Sequence, residues 1–125
     1  MAFTPEEIRN KLFYFSDAAH VLHLDTRTYS EHKALNFAYK GLIDFRDEIS
    51  EKLMGYQNGK RIGKCRVDDL PIYSKSSVDN LVSEGLKFAA DLEDWAESKK
   101  YCDITNIAQA LSGLFAQTQY LLTLS

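Results

Sequence analysis

Proline is nearly absent from this chain, with Pro5 and Pro71 the only two in 125 residues. Long stretches on either side of Pro71 therefore hold nothing that must break a helical hydrogen-bond ladder. Cysteine is as scarce: Cys65 and Cys102 have neither zinc-finger nor Cys-x-x-Cys spacing, and a reducing cytoplasm is the expected setting. The opening MAFTPEEIRN lacks a basic segment followed by an apolar one, so no secretory leader is expected. No apolar run approaches the ~20 residues of a membrane span. Basic excess is missing too, and a net charge of −3 argues against general binding of a phosphate backbone. No histidine follows His32, and residues 104–125 contain no acidic side chain; a metal site would have to use the first half of the chain. Nothing resembles a Ser/His/Asp or Cys/His catalytic set.

What is present is helical periodicity. Thr4-Pro5-Glu6-Glu7 forms a capping-box pattern with proline at the first helical position. Ile8, Leu12, Phe15, Ala19 and Leu22 then repeat at helical steps, which predicts a helix over about 5–24. Ser30 is expected to cap a second helix, over about 30–54, with the stripe Leu35, Ala38, Leu42, Phe45, Ile49 and Leu53, and with Gly55 as its stop. Ser76 or Ser77 is expected to open a third, about 77–99, facing inward through Val78, Leu81, Gly85, Phe88, Leu92 and Trp95. Asp103 or Thr105 should open the fourth, about 104–123, on Ile107, Leu111, Leu114, Phe115, Thr118, Leu121 and Leu122. The chain is long enough for one domain with a core, and residues 1–125 are read as one.

Connection lengths suggest the topology. Helices one and two, like three and four, are joined by few residues and should be antiparallel neighbours, whereas the crossover over about 55–76 is long. The expected fold is an all-α, ferritin-like four-helix bundle with one long crossover between helices two and three.

Four residues carry the chemistry of metal ligation: His23, His32, Asp47 and Glu51. His32 and Asp47 lie fifteen positions apart on one helix, which at about 1.5 Å per residue is roughly 22 Å. One molecule cannot bring them together; two antiparallel copies of the helix could, across a two-fold axis. Asp47 and Glu51, one turn apart, can share a cation. His32, Lys40, Ile43, Asp47, Glu51 and Met54 fall opposite the apolar stripe, so this mixed face is also a candidate subunit interface. The plainer alternative is that the histidines favour helix ends and the carboxylates form a solvated face interleaved with Arg46 and Lys52. His20, one turn before His23, is a surface or interface histidine on this reading.

The stretch His23-Leu24-Asp25-Thr26-Arg27-Thr28-Tyr29-Ser30-Glu31-His32, followed by Asp47-Glu48-Ile49-Ser50-Glu51, resembles the first helix pair of Dps-type mini-ferritins. In that family a histidine closing helix one, a histidine early in helix two and an Asp-x-x-x-Glu pair late in helix two form an iron-oxidising site shared between subunits. The resemblance implies that His23, His32, Asp47 and Glu51 bind iron, with zinc or manganese as alternatives, in at least a homodimer formed through helices one and two. Ferroxidase-like activity is what such a site would permit. LHLDTRTYSEHKAL and the later MGYQNG also resemble a family of small tailed-phage proteins, which implies a place in the host cell cytoplasm.

The crossover offers a different chemistry. Lys60, Arg61, Lys64 and Arg66 fall within seven residues, loosened by Asn58-Gly59 and Gly63, and backbone amides with cationic side chains could wrap a phosphate. A solvated basic loop is the simpler alternative, since no Walker pattern leads into a helix. The competing function is therefore a non-catalytic phage accessory protein that binds a host protein or sequesters a nucleotide signal as a host-defence antagonist.

Overall fold

A computed structural model describes residues 3–124, and all regular structure among them is helical: α1 (Pro5–Leu24), α2 (Tyr29–Tyr56), α3 (Lys75–Lys99) and α4 (Cys102–Leu122). The first capping box forms as its sequence requires. The Thr4 hydroxyl accepts the Glu7 amide at 3.1 Å and the Glu7 carboxylate accepts the Thr4 amide at 3.0 Å.

Helices α1 and α3 end at Leu24 and Lys99 as expected, whereas the starts of α2, α3 and α4 and the exit from α2 differ from expectation. Thr28, not Ser30, caps α2, because its extended backbone aims its hydroxyl at the Glu31 amide, 3.2 Å away. Gly55 does not stop α2; the chain leaves through Asn58 and Gly59, both at positive φ, and the Gly59 amide returns to the Met54 carbonyl at 2.8 Å. Ser74 rather than Ser76 or Ser77 caps α3, accepting the Ser77 amide at 3.0 Å. Neither Asp103 nor Thr105 opens α4. Lys100, in the left-handed region at φ 61°, ends α3, and the next helix restarts so soon that Tyr101 caps it without a side-chain hydrogen bond.

The helices pack as a square in which α1 meets α2, α2 meets α4, α4 meets α3, and α3 meets α1 most loosely. Their directions follow from contacts at the two ends. Tyr56, closing α2, stacks on Tyr101 between α3 and α4 with ring centroids 4.1 Å apart, and Lys52 pairs with Asp103 at 3.8 Å. At the other end Tyr73, just before α3, donates its hydroxyl to Glu31 in the first turn of α2 at 2.5 Å. Helices α2 and α3 thus run in the same direction, and the segment between them climbs the length of the bundle. It is pinned to α1 on the way: the Arg9 guanidinium donates to the Lys64 carbonyl, and Asn10 Oδ1 accepts the Arg66 amide at 2.8 Å.

The core follows the predicted stripes closely. Ile8, Leu12, Leu22, Leu35, Leu42, Ile49, Leu53, Leu92, Leu111 and Phe115 are all fully buried. Each such side chain contributes roughly 1.5–3 kcal/mol by leaving water. Phe45, Ile107, Leu121 and Leu122 are only half-buried, whereas Ile104 and Ala108 are fully buried, so the buried face of α4 begins one turn earlier than its longest apolar residues suggest. Gly85 is the closest approach in the core: the Phe115 ring lies where a side chain would stand.

Candidate functional site

His23 occupies the last turn of α1 and is 7% exposed. Its Nδ1 lies 3.0 Å from the backbone carbonyl oxygen of His32. A carbonyl oxygen can only accept, so Nδ1 carries the proton and Nε2 keeps its lone pair. The ring stacks on that of His32 with centroids 4.2 Å apart and planes 30° apart. His32 itself is exposed. The Thr26 hydroxyl donates to the His23 carbonyl at 2.9 Å, leaving its oxygen to face His32 Nδ1 at 3.4 Å as an acceptor. The short turn between α1 and α2 thus holds the two imidazoles together and fixes the tautomer of His23.

Tyr39, on the next turns of α2, completes an aromatic cluster. It stacks on His20 at 4.2 Å with planes 14° apart and lies 5.1 Å from the His23 ring. All three histidines of the chain therefore share one face of the α1/α2 pair. Burial pushes the His23 pKa below its ordinary 6.5; the hydrogen bond to the His32 carbonyl opposes this, and the charges of His32, His20 and Lys40 add to it.

Asp47 and Glu51 stand apart from this cluster. Both are exposed, one turn apart, and they line an open acidic hollow with Asp44, Glu48 and Lys52. Because α2 is continuous from Tyr29 to Tyr56, roughly 22 Å of helix separates Asp47 from His32. Among the described residues, no three or more His, Cys, Asp or Glu side chains of a single chain are placed to hold a metal ion. The four sequence-derived residues thus form two pairs, an imidazole pair and a carboxylate pair.

The basic crossover residues are all exposed but do not converge. Lys60 and Arg61 border a hollow with Thr4, Pro5, Glu6 and Gln57, while Arg66 borders another with Asn10, Lys11 and Tyr14. Arg61 donates to the Gly59 carbonyl at 2.6 Å, and Lys64 offers its own carbonyl to Arg9.

Glu31 is the functional-looking residue that periodicity passes over. Buried at 7% exposure, it accepts hydrogen bonds from Thr28 Oγ1 at 3.3 Å and from the Tyr73 hydroxyl at 2.5 Å. The signal was present as Thr28-x-x-Glu31, the same spacing as Thr4-x-x-Glu7. Arg46, read as part of a solvated face, is instead half-buried, bonded to Ser16 at 2.9 Å and lying over the Phe13 ring at 4.2 Å.

Residues 23–122 match the model of a family described as being of unknown function, DUF5856. The chain is also 27% identical over 105 residues, 84% of its own length and 77% of the relative's, to an uncharacterized 14.6 kDa protein of the mobD-ri intergenic region of Enterobacteria phage T4. That similarity supports the bacteriophage association expected from the sequence. No solved structure matches the chain. No helix among the described residues is long and apolar enough to cross a membrane.

Proposed function

The chain belongs to the DUF5856 family, and from that premise we propose that it is a helical-bundle protein that binds a divalent metal between two copies of itself. His23 and His32 of one copy and Asp47 and Glu51 of the other are the ligands. The observation that carries this is the imidazole pair. Tying Nδ1 of His23 to a backbone carbonyl leaves Nε2 as the metal-competent nitrogen, which is how ligating histidines are commonly oriented. Burial keeps that ring neutral, as coordination requires.

Two neutral imidazoles and two carboxylates suit Fe(II), Mn(II) or Zn(II). Iron is the proposed metal, with zinc and manganese as alternatives, and it would supply ferroxidase-like oxidation at an open coordination position. Parallel α2 and α3 joined by one bundle-length crossover also support a ferritin-like, Dps-type relationship, since that is the connectivity such bundles use. Two α2 helices packed antiparallel would bring each imidazole pair to the carboxylate pair opposite. The proposed place of action is the host cell cytoplasm.

The test is metal titration of the purified chain together with its solution mass. The proposal predicts an even multiple of 14.3 kDa and stoichiometric Fe(II) or Zn(II) binding that Asp47→Ala and Glu51→Ala each abolish without loss of helicity. A monomer at tens of micromolar that binds none of Fe(II), Mn(II) or Zn(II) would reject it and favour the accessory-protein alternative, in which the bundle binds a host protein or a nucleotide signal.

A further inference from the structure

The seam between α1 and α3 lies on another side of the bundle from the α1/α2 face, and a hollow of about 290 Å³ opens along it. Four aromatic rings border it, Phe3 and Tyr14 half-buried and Phe15 and Phe88 almost wholly within the core. Phe3 meets Phe88 edge-on at 5.8 Å, Phe88 tilts against Phe15 at 5.5 Å, and Tyr14 closes on Phe15 at 5.5 Å. A second hollow, about 200 Å³, shares Phe3, Lys11 and Tyr14 with the first and continues beneath the crossover to Asn10 and Arg66. The two form one cleft, aromatic toward α3 and polar toward the crossover.

The polar groups of this cleft divide into engaged and available ones. Lys87 is paired with Asp91 at 3.0 Å, and Glu7 is held in the cap of α1. Lys11, Arg66 and Glu84 make no ion pair among the described residues, and the Tyr14 hydroxyl has no hydrogen-bond partner among them. Burial, with Glu84 and Asp68 nearby, raises the Tyr14 pKa and keeps that hydroxyl a donor. Arg66 is not a loose cation. Its backbone amide is bonded to Asn10 and the preceding Lys64 carbonyl to Arg9, so the crossover holds it beside the cleft.

We propose that this cleft binds a nucleoside monophosphate, its base among Phe3, Tyr14, Phe15 and Phe88 and its phosphate between Lys11 and Arg66. A planar base uses ring contacts that an aliphatic ligand would not. Glu84 is a free acceptor for an exocyclic amine at the base edge, and a hollow near 300 Å³ sits at the small end of ligand sites. Asp68 and Glu7 border the same polar hollow, so repulsion grows with each added phosphate and is greater for a triphosphate than for a single phosphate. This site does not depend on the metal site proposed above.

Calorimetry on the whole chain tests it, with adenosine, guanosine, cytidine and uridine monophosphates against adenosine, ribose 5-phosphate and adenosine triphosphate. At least one monophosphate should bind more tightly than its nucleoside or its triphosphate, and ribose 5-phosphate should bind at least about tenfold more weakly. Replacing Lys11 and Arg66 by Gln should weaken the monophosphate about tenfold and flatten its salt dependence. Glu84→Gln should change the preference among bases while leaving the salt dependence intact. Both variants alter surface residues, and unchanged thermal unfolding checks that they fold. No heat with any monophosphate at millimolar concentration would overturn the proposal, as would ribose 5-phosphate binding equally well or affinities unmoved by both variants.

Discussion

The His23 imidazole stacks on that of His32 at 4.2 Å while bonding through Nδ1 to the His32 carbonyl. Burial lowers the His23 pKa from 6.5, and the sign of its effect on stability follows. Between the lowered value and 6.5 the unfolded chain binds a proton that the folded chain does not, so stability is full above that window and falls as pH drops through it. Urea unfolding at pH 7.5 and 5.5 should show this loss in the wild type and a smaller loss in His23→Gln. Equal losses in both would contradict the burial argument.

Glycine substitutions should separate a close approach from open space. A Cβ on Gly85 would run into the Phe115 ring, which is fully buried and cannot swing away. Gly85→Ala should therefore cost about 2–3 kcal/mol, as overpacking does. Gly113 has nothing within 4 Å of the same added atom, and Gly113→Ala should stabilise by about 0.5–1 kcal/mol through helix propensity alone. Thermal denaturation of the two variants, shifting in opposite directions, is the expected result.

Tyr73 closes the crossover onto the start of α2. Tyr73→Phe leaves the buried Glu31 carboxylate without its closest donor, at a cost of about 1–3 kcal/mol. The same variant should speed tryptic cleavage at Lys60, Arg61, Lys64 and Arg66, since the upper end of the segment loses its tether. An unchanged cleavage rate would mean that the contacts of Arg9 and Asn10 hold the crossover unaided.

Helix number, order and most of the core were legible because the apolar stripes persist over many turns and neither proline falls in a helix interior, Pro5 standing at the first position of α1. Helix ends were less so. Thr28 and Ser30 stand close together, as do Ser74, Ser76 and Ser77, and residue type cannot say which hydroxyl the backbone aims at a free amide. The burial of Glu31 was not legible, because it depends on Tyr73, 42 residues later in the chain. The imidazole pair was foreseeable from the short turn between α1 and α2. The aromatic cleft was not: Phe15 and Phe88 have the spacing of core residues, Phe3 precedes α1 and Tyr14 stands beside its stripe, and a cavity arises only from how loosely α1 and α3 meet.

The most direct measurement is complementation between two chains that each lack one half of the metal site. Chains carrying His23→Ala with His32→Ala should bind no metal, and neither should chains carrying Asp47→Ala with Glu51→Ala. Co-expressed in equal amounts, they should pair at random, and each mixed dimer should regain one complete site, or about a quarter of the wild-type metal per chain. Metal analysis that recovers this fraction supports a site built by two copies. Mixed dimers that bind no metal, formed from a wild-type chain that does, would contradict it.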